Sequence, residues 1–236
     1  MMLHLLLLSN STNPGFGYLA HALEAIREFL GPVRELAFVP YAGVRVSEEE
    51  YAGKVRAALA PLGIGVRAVT ATDNPVAMIR SADALAVGGG NSFQLLKRMY
   101  ETGLLEAVRA RARAGLPYLG WSAGSNLACP TIRTTNDMPV VQPPSFAALC
   151  LVPFQINPHY SNTALPGHGG ETRDERIAEF LTLNPAVKVV GLREGSWLRV
   201  EGDHVALHGP QSARIFEAGR EPREVEPAAD LRFLRS

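Results

Sequence analysis

Tyr118-Leu119-Gly120-Trp121-Ser122-Ala123-Gly124-Ser125-Asn126 is an apolar run, entered from Pro117, that meets a Gly-x-Ser-x-Gly pattern and continues with helix-compatible spacing. Strand, tight turn and helix in that order make a nucleophile elbow, where a serine sits on a strained turn and needs small neighbours. Gly120 and Gly124 supply them. A helix starting at the serine aims its free amides and its positive dipole end at the reacting centre, where negative charge develops in acyl transfer. The Ala123 amide is therefore a candidate oxyanion donor. The bland alternative is a glycine-rich turn carrying a solvated serine. By composition the pattern arises by chance about 0.1 times per chain, so context has to decide.

Upstream of the elbow, short apolar runs alternate with helical patterns. Residues 3–8 are continuously apolar, as expected of a strand covered on both faces, and the Ser, Asn, Pro and Gly of residues 9–17 break the run. A helix is expected over residues 18–30, a second buried strand over 36–39, and a helix to about residue 60 opened by the capping box Ser47-Glu48-Glu49-Glu50. Residues 65–69 read as a third strand, Asn74-Pro75 starts a short helix, and residues 84–87 form a fourth strand. This alternation predicts an α/β fold: a doubly wound, mostly parallel sheet with helices on both faces.

Gly88-Gly89-Gly90-Asn91 follows the fourth strand and precedes a helix over about residues 92–102. A glycine run at the carboxyl end of a sheet lets backbone amides approach a bound anion. Position 93 is Phe and no Walker lysine follows, which excludes dinucleotide and nucleoside triphosphate motifs. A second oxyanion donor, a platform for a substrate carboxylate and a simple tight connection all remain open. The helix over residues 104–114 carries Arg109, Arg111 and Arg113, read as a solvated face. Residues 129–158 hold six prolines, at 130, 139, 143, 144, 153 and 158, so an irregular insertion near the active-site end is expected. Thr172-Arg173-Asp174-Glu175 is a second capping box. Residues 187–192 read as one more strand of the sheet, ending at Arg193-Glu194. Beyond them, residues 197–200, 204–207 and 213–216 suggest antiparallel hairpins, with the last dozen residues frayed.

Composition narrows the function. At 236 residues with 47% apolar content, the chain suits one large domain spanning residues 1–236. Lys plus Arg equals Asp plus Glu at 23 each, which favours a small-molecule partner over nucleic acid or an anionic membrane. Cys129 and Cys150 are the only cysteines and read as free thiols of a reducing cytosol. The apolar start lacks a basic region and a cleavage site, and no stretch reaches the roughly 20 residues of a membrane span. The expectation is a soluble cytoplasmic protein.

A serine hydroxyl needs a base within hydrogen-bond reach, itself oriented by an acid. Of six histidines, His159 and His168 lie near the expected active-site end. His159 ends a short strand, Phe154-Gln155-Ile156-Asn157-Pro158-His159, whereas His168 falls in a glycine-rich loop, so His159 is the better base. For the acid, Asp137 gives the chain order of the α/β-hydrolases and Glu194 gives serine, histidine, acid; spacing leaves them tied.

Leu7-Leu8-Ser9-Asn10-Ser11-Thr12, Val87-Gly88-Gly89-Gly90-Asn91, Gly120-Trp121-Ser122-Ala123-Gly124, the run from Asn126 to Pro139, Gln155-Ile156-Asn157-Pro158-His159 and Gly170-Glu171-Thr172-Arg173 together resemble the peptidase E family of α-aspartyl dipeptidases. The resemblance implies a serine peptidase on a class I glutamine amidotransferase-like fold, with no metal and no cofactor, as a monomer or a homodimer. It carries the nucleophile onto Ser122, the base onto His159 and the acid onto Glu194, and it keeps Asp137 as a site residue of unsettled role. The implied substrate is a dipeptide with amino-terminal aspartate. Such a substrate needs a cation for the side-chain carboxylate, for which Arg173 comes first and Arg133 second, and a carboxylate for the α-ammonium, Asp137 or Glu171. Gly89 and Ala123 form the expected oxyanion pair, with Gly90 and Asn91 beside them. Two rivals stand: a cyanophycinase-like hydrolase of β-aspartyl polymer, and a non-catalytic binding module of the same fold.

Overall fold

The structure, a computed structural model, describes residues 3–70, 74–163 and 169–235. Its main sheet has seven strands in the order β3-β2-β4-β5-β1-β8-β9. They are β1 (His4–Leu8), β2 (Glu35–Val39), β3 (Gly65–Ala68), β4 (Leu85–Val87), β5 (Tyr118–Trp121), β8 (Trp197–Glu201) and β9 (His204–His208). The first five run parallel to one another, while β8 and β9 continue the sheet as an antiparallel hairpin against β1.

The apolar runs belong to strands covered on both faces. Leu5 and Leu7 join Val39, Val87 and Tyr118 in one core; Leu6 and Leu8 join Phe38, Ala86, Leu119 and Trp121 in the other. Helices α1 (Leu23–Leu30) and α2 (Glu48–Leu59) cover the second core, and α3 (Pro75–Ser81), α4 (Ser92–Glu101), α5 (Leu104–Arg113) and α6 (Ala123–Leu127) cover the first. Leu5, Leu6, Leu7 and Leu8 are fully buried, and each such side chain stabilises the fold by roughly 1.5–3 kcal/mol. The capping box that opens α2 is present, with the Glu50 amide donating to Ser47 Oγ and the Ser47 amide to Glu50 Oε2. The box at Thr172 and Glu175 likewise opens α7 (Arg173–Leu183). The segment expected as one helix from residue 18 begins as a 3-10 turn at Ala20–Ala22, because Leu19 takes φ 58° and cannot extend an α-helix.

Four expectations change. Residues 187–192 do not join the main sheet: β7 (Val189–Leu192) lies in a second sheet of order β11-β10-β7-β6, with β6 (Gln155–Asn157), β10 (Ala213–Phe216) and β11 (Arg223–Val225). There β6 and β7 are parallel, and β10 pairs antiparallel with β7 and β11 instead of forming a hairpin with β9. Arg109 and Arg111 are not a solvated face; half-buried, they donate to the carbonyls of Leu149 and Ala148 and of Ile79 and Ala82, fastening the neighbouring chain to α5, while Arg113 is exposed and donates to the Cys150 carbonyl. The chain end is docked: the Ala228 and Leu231 amides donate to Leu207 and Val205, and Leu231 and Leu234 are buried. Residues 129–158 are irregular up to β6, as the prolines require. Cys129 and Cys150 are free thiols. Among the described residues no helix is long and apolar enough to cross a membrane.

Candidate active site

The carboxyl ends of β1, β4 and β5 lie in register, Leu8 opposite Trp121 and Val87 opposite Gly120, so the residues that follow each strand meet at one edge. Open α/β sheets bind ligands at that edge. Ser122 follows β5 with φ 52° and ψ −115°, outside the regions an L residue ordinarily occupies, and α6 starts at the next residue. The turn is tight enough to demand glycine on both sides. A Cβ on Gly120 would stand 2.7 Å from the Gly124 carbonyl oxygen, and one on Gly124 would stand 2.1 Å from that of Val87.

The second sheet delivers the partners. β6 and β7 run side by side with Asn157 opposite Gly191, so His159, just past one strand, faces Glu194, just past the other. His159 Nε2 lies 2.8 Å from Ser122 Oγ, and His159 Nδ1 lies 2.6 Å from Glu194 Oε1. Serine, imidazole and carboxylate thus form one hydrogen-bonded line. His159 also takes a positive φ, 53°. That conformation is held by a bond from its amide to Ser9 Oγ (2.9 Å), while Ser9 Oγ donates to the Leu192 carbonyl (2.7 Å). Ser9, at the end of β1 and fully buried, thereby stitches the main sheet to both strands carrying His159 and Glu194. Arg193 fixes the other side: it bonds both Glu224 oxygens (2.7 and 2.9 Å) and the Ser212 carbonyl.

The glycine loop closes over the serine. A Cβ on Gly89 would lie 2.9 Å from Ser122 Cβ, so the approach requires glycine, and Gly90 adopts φ 133° against the Ala42 carbonyl. The Gly88 amide donates to Val39 and that of Asn91 to Ala42; among the described residues no backbone acceptor takes the Gly89 or Gly90 amide. Ala123 is the first residue of α6, where an amide has no partner within the helix. Asn91 is engaged structurally: its Oδ1 accepts from Phe93 and Gln94, capping α4, and its Nδ2 donates to Met138. Tyr51, on α2, donates to the Gly89 carbonyl (2.8 Å) and accepts from Trp121 Nε1 (3.2 Å). Tyr18 accepts from the same indole (2.9 Å) and donates to Tyr51 (3.1 Å), linking the glycine loop to the residue before Ser122.

Asp137 Oδ2 accepts from the Ser92 amide (2.7 Å) and Thr135 Oγ1 (3.0 Å) at the start of α4, and the residue lines the cavity that opens from Ser122. That cavity, about 740 Å³, also includes His159, Gly89, Tyr18 and the loop 42–46. Arg133 and Arg173 are elsewhere, with Arg176 in a neighbouring cavity of about 180 Å³ that shares the Asp137 wall. Arg133 donates to Asn184 Oδ1 and covers the Phe180 ring. Arg173 has no ion-pair partner among the described residues; burial first, and the Arg176 charge second, lower its pKa. Glu171 is exposed and pairs with Arg176 at 3.7 Å, away from the serine. His168, weighed as an alternative base, lies outside the described residues. Spacing singled out none of Tyr18, Tyr51 and Lys54, although Tyr51 and Lys54 stand three apart on one helix face.

A mostly parallel α/β fold whose strained strand-to-helix serine meets an imidazole and a carboxylate has the make-up of a serine hydrolase. The model of Peptidase family S51 matches residues 5–208. The chain is 56% identical over 234 residues to peptidase E of Streptomyces coelicolor, covering 98% of this chain and 95% of that one. It is 47% identical over 235 residues to peptidase E of Nostoc sp. (99% and 97%) and 50% identical over 224 residues to peptidase E of Escherichia coli O1:K1 (95% and 98%). In fold it is similar to the solved structure of a peptidase from an acI-B1 actinobacterium, with TM-score 0.72 at 17% identity over 98% of this chain and 97% of that one. A solved structure from Listeria monocytogenes EGD-e gives TM-score 0.67 at 23% identity, over 89% and 100%. The chain belongs to peptidase family S51, and it is a serine peptidase.

Proposed function

We propose that the protein is a cytoplasmic dipeptidase that removes an amino-terminal aspartate from α-Asp-X through an acyl-enzyme on Ser122. The observation that carries the mechanism is the continuous line from Ser122 Oγ through His159 to Glu194, at 2.8 and 2.6 Å. In this reading His159 takes the serine proton as Ser122 attacks the scissile carbonyl, then returns it to the leaving amine; water hydrolyses the aspartyl ester by the same route reversed. Glu194 holds the imidazole tautomer and balances its charge. Its side chain is 49% exposed, so its contribution is orientation more than buried charge. The amides of Gly89 and Ala123 receive the oxyanion.

Recognition of aspartate follows from charge. Asp137 stands at the wall shared by the serine cavity and the arginine-lined one, so it is the group for the free α-ammonium; Glu171 is turned to Arg176. Arg173 is the stronger partner for the side-chain carboxylate, because Arg133 is already engaged by Asn184 and Phe180. Hydrolysis of α-Asp-Leu, α-Glu-Leu, β-Asp-Leu and N-acetyl-α-Asp-Leu, with chelator present, tests the reading. Selective cleavage of the first is expected; equal cleavage of all four, or preference for the β-linked peptide, contradicts it.

A further inference from the structure

The cavity at Ser122 is lined by side chains of both charges. Asp137 lines it from one segment; the loop after β2 and the exposed face of α2 bring Arg45 and Lys54, with Glu50 beside them. Neither cation has an ion-pair partner among the described residues. Lys54 Nζ rests 4.1 Å from the centre of the Tyr18 ring, and the Tyr18 hydroxyl accepts from Trp121 Nε1, so the ammonium sits on a platform tied to the residue before the serine. The acid one turn away, Glu50, has its Oε2 bonded to the Ser47 amide (2.8 Å) and hydroxyl (2.7 Å). Val44 and Val46, on either side of Arg45, and Val140, three residues after Asp137, line the same cavity while remaining 58%, 51% and 55% exposed. Apolar side chains left uncovered inside a reactive cavity mark a surface for an apolar ligand group.

An α-aspartyl dipeptide has three charges, and the assignments above use only the ammonium and the side-chain carboxylate. The third, the carboxylate of the leaving residue, lies across the scissile bond from the ammonium. We propose that Lys54, with Arg45 as second cation, binds this carboxylate, and that Val44, Val46 and Val140 receive an apolar leaving side chain. This inference rests on the dipeptidase reading. The protein would thus recognise its substrate at both ends.

The test compares kcat/KM for α-Asp-Leu and its carboxamide, α-Asp-Leu-NH₂, in the unaltered protein and in Lys54→Gln. The unaltered protein is expected to favour the free acid about tenfold, the effect of one charge-assisted contact at an exposed site. The preference should shrink as salt is raised, and Lys54→Gln should cut the ratio severalfold, leaving what Arg45 supplies. Equal cleavage of acid and amide by the unaltered protein overturns the subsite and leaves the dipeptidase reading intact. An undiminished preference in Lys54→Gln overturns the role of Lys54. Cleavage of neither substrate overturns the dipeptidase reading, and the subsite with it.

Discussion

At the residue scale the site depends on close approach. Gly89 lies so near Ser122 that a methyl group would meet the serine Cβ at 2.9 Å and the Trp121 carbonyl oxygen at 3.1 Å. Both neighbours belong to the strained turn and neither can withdraw freely. Gly89→Ala is therefore expected to lower kcat at least about 100-fold, the scale of losing one oxyanion donor, with KM changing far less. Thermal unfolding should show a destabilisation of about 1–3 kcal/mol, the usual cost of overpacking. Unchanged kcat in the folded variant would remove Gly89 from the proposed oxyanion pair. Ser122 and His159 were legible in the sequence because each follows directly from a local pattern, the elbow and a strand end. Asp137 and Glu194 were not separable by spacing, since the contact with His159 is made by a neighbouring strand and not by chain neighbours. Asn91 read as part of an anion-binding loop, yet its amide and side chain serve Ala42, the α4 cap and Met138.

At the element scale, the pairing of β10 with β7, backed by β11 on the far side of β10, holds the strand that leads to Glu194. Its polar fastening is the cluster of Arg193, Arg214, Ser212 and Glu224. The Arg193 guanidinium is the main reason the Glu224 carboxylate titrates at about 2 instead of its ordinary 4.5. A carboxyl group whose pKa is depressed in the folded state stabilises it above the unfolded value and loses that contribution as pH falls. The contribution should thus be full above about pH 5 and fade between pH 4.5 and 2. With the side chain 38% exposed, screening reduces its size, and Glu224→Gln is expected to cost about 1 kcal/mol at pH 7 and nothing near pH 2. Urea titrations at the two pH values check this; an equal loss at both would assign the effect to packing. Most elements were readable from apolar runs and capping boxes. The roles of Arg109 and Arg111 were not, because helical spacing gives the face a residue occupies and not the carbonyls that another segment brings to it.

At the scale of the whole molecule, the proposed reactive centre lies where two sheets meet. Ser122 and the glycine loop come from the seven-stranded sheet, and His159 and Glu194 come from the four-stranded one. The sequence indicated strands and their order but not their division between sheets, since β7 reads as apolar as any strand of the main sheet. Ser9 is the joint, bonding from the end of β1 to Leu192 in β7 and to His159 just past β6. A serine hydroxyl without its base is an ordinary alcohol, so on the proposed mechanism the nucleophilicity of Ser122 is a property of the assembled fold. The most direct test is covalent labelling by a phosphonate analogue of an aspartyl peptide, read by intact mass and peptide mapping. The folded protein should take up one adduct, on Ser122, and protein unfolded in urea should take up none. An adduct on another residue, or equal labelling in both states, would contradict the account.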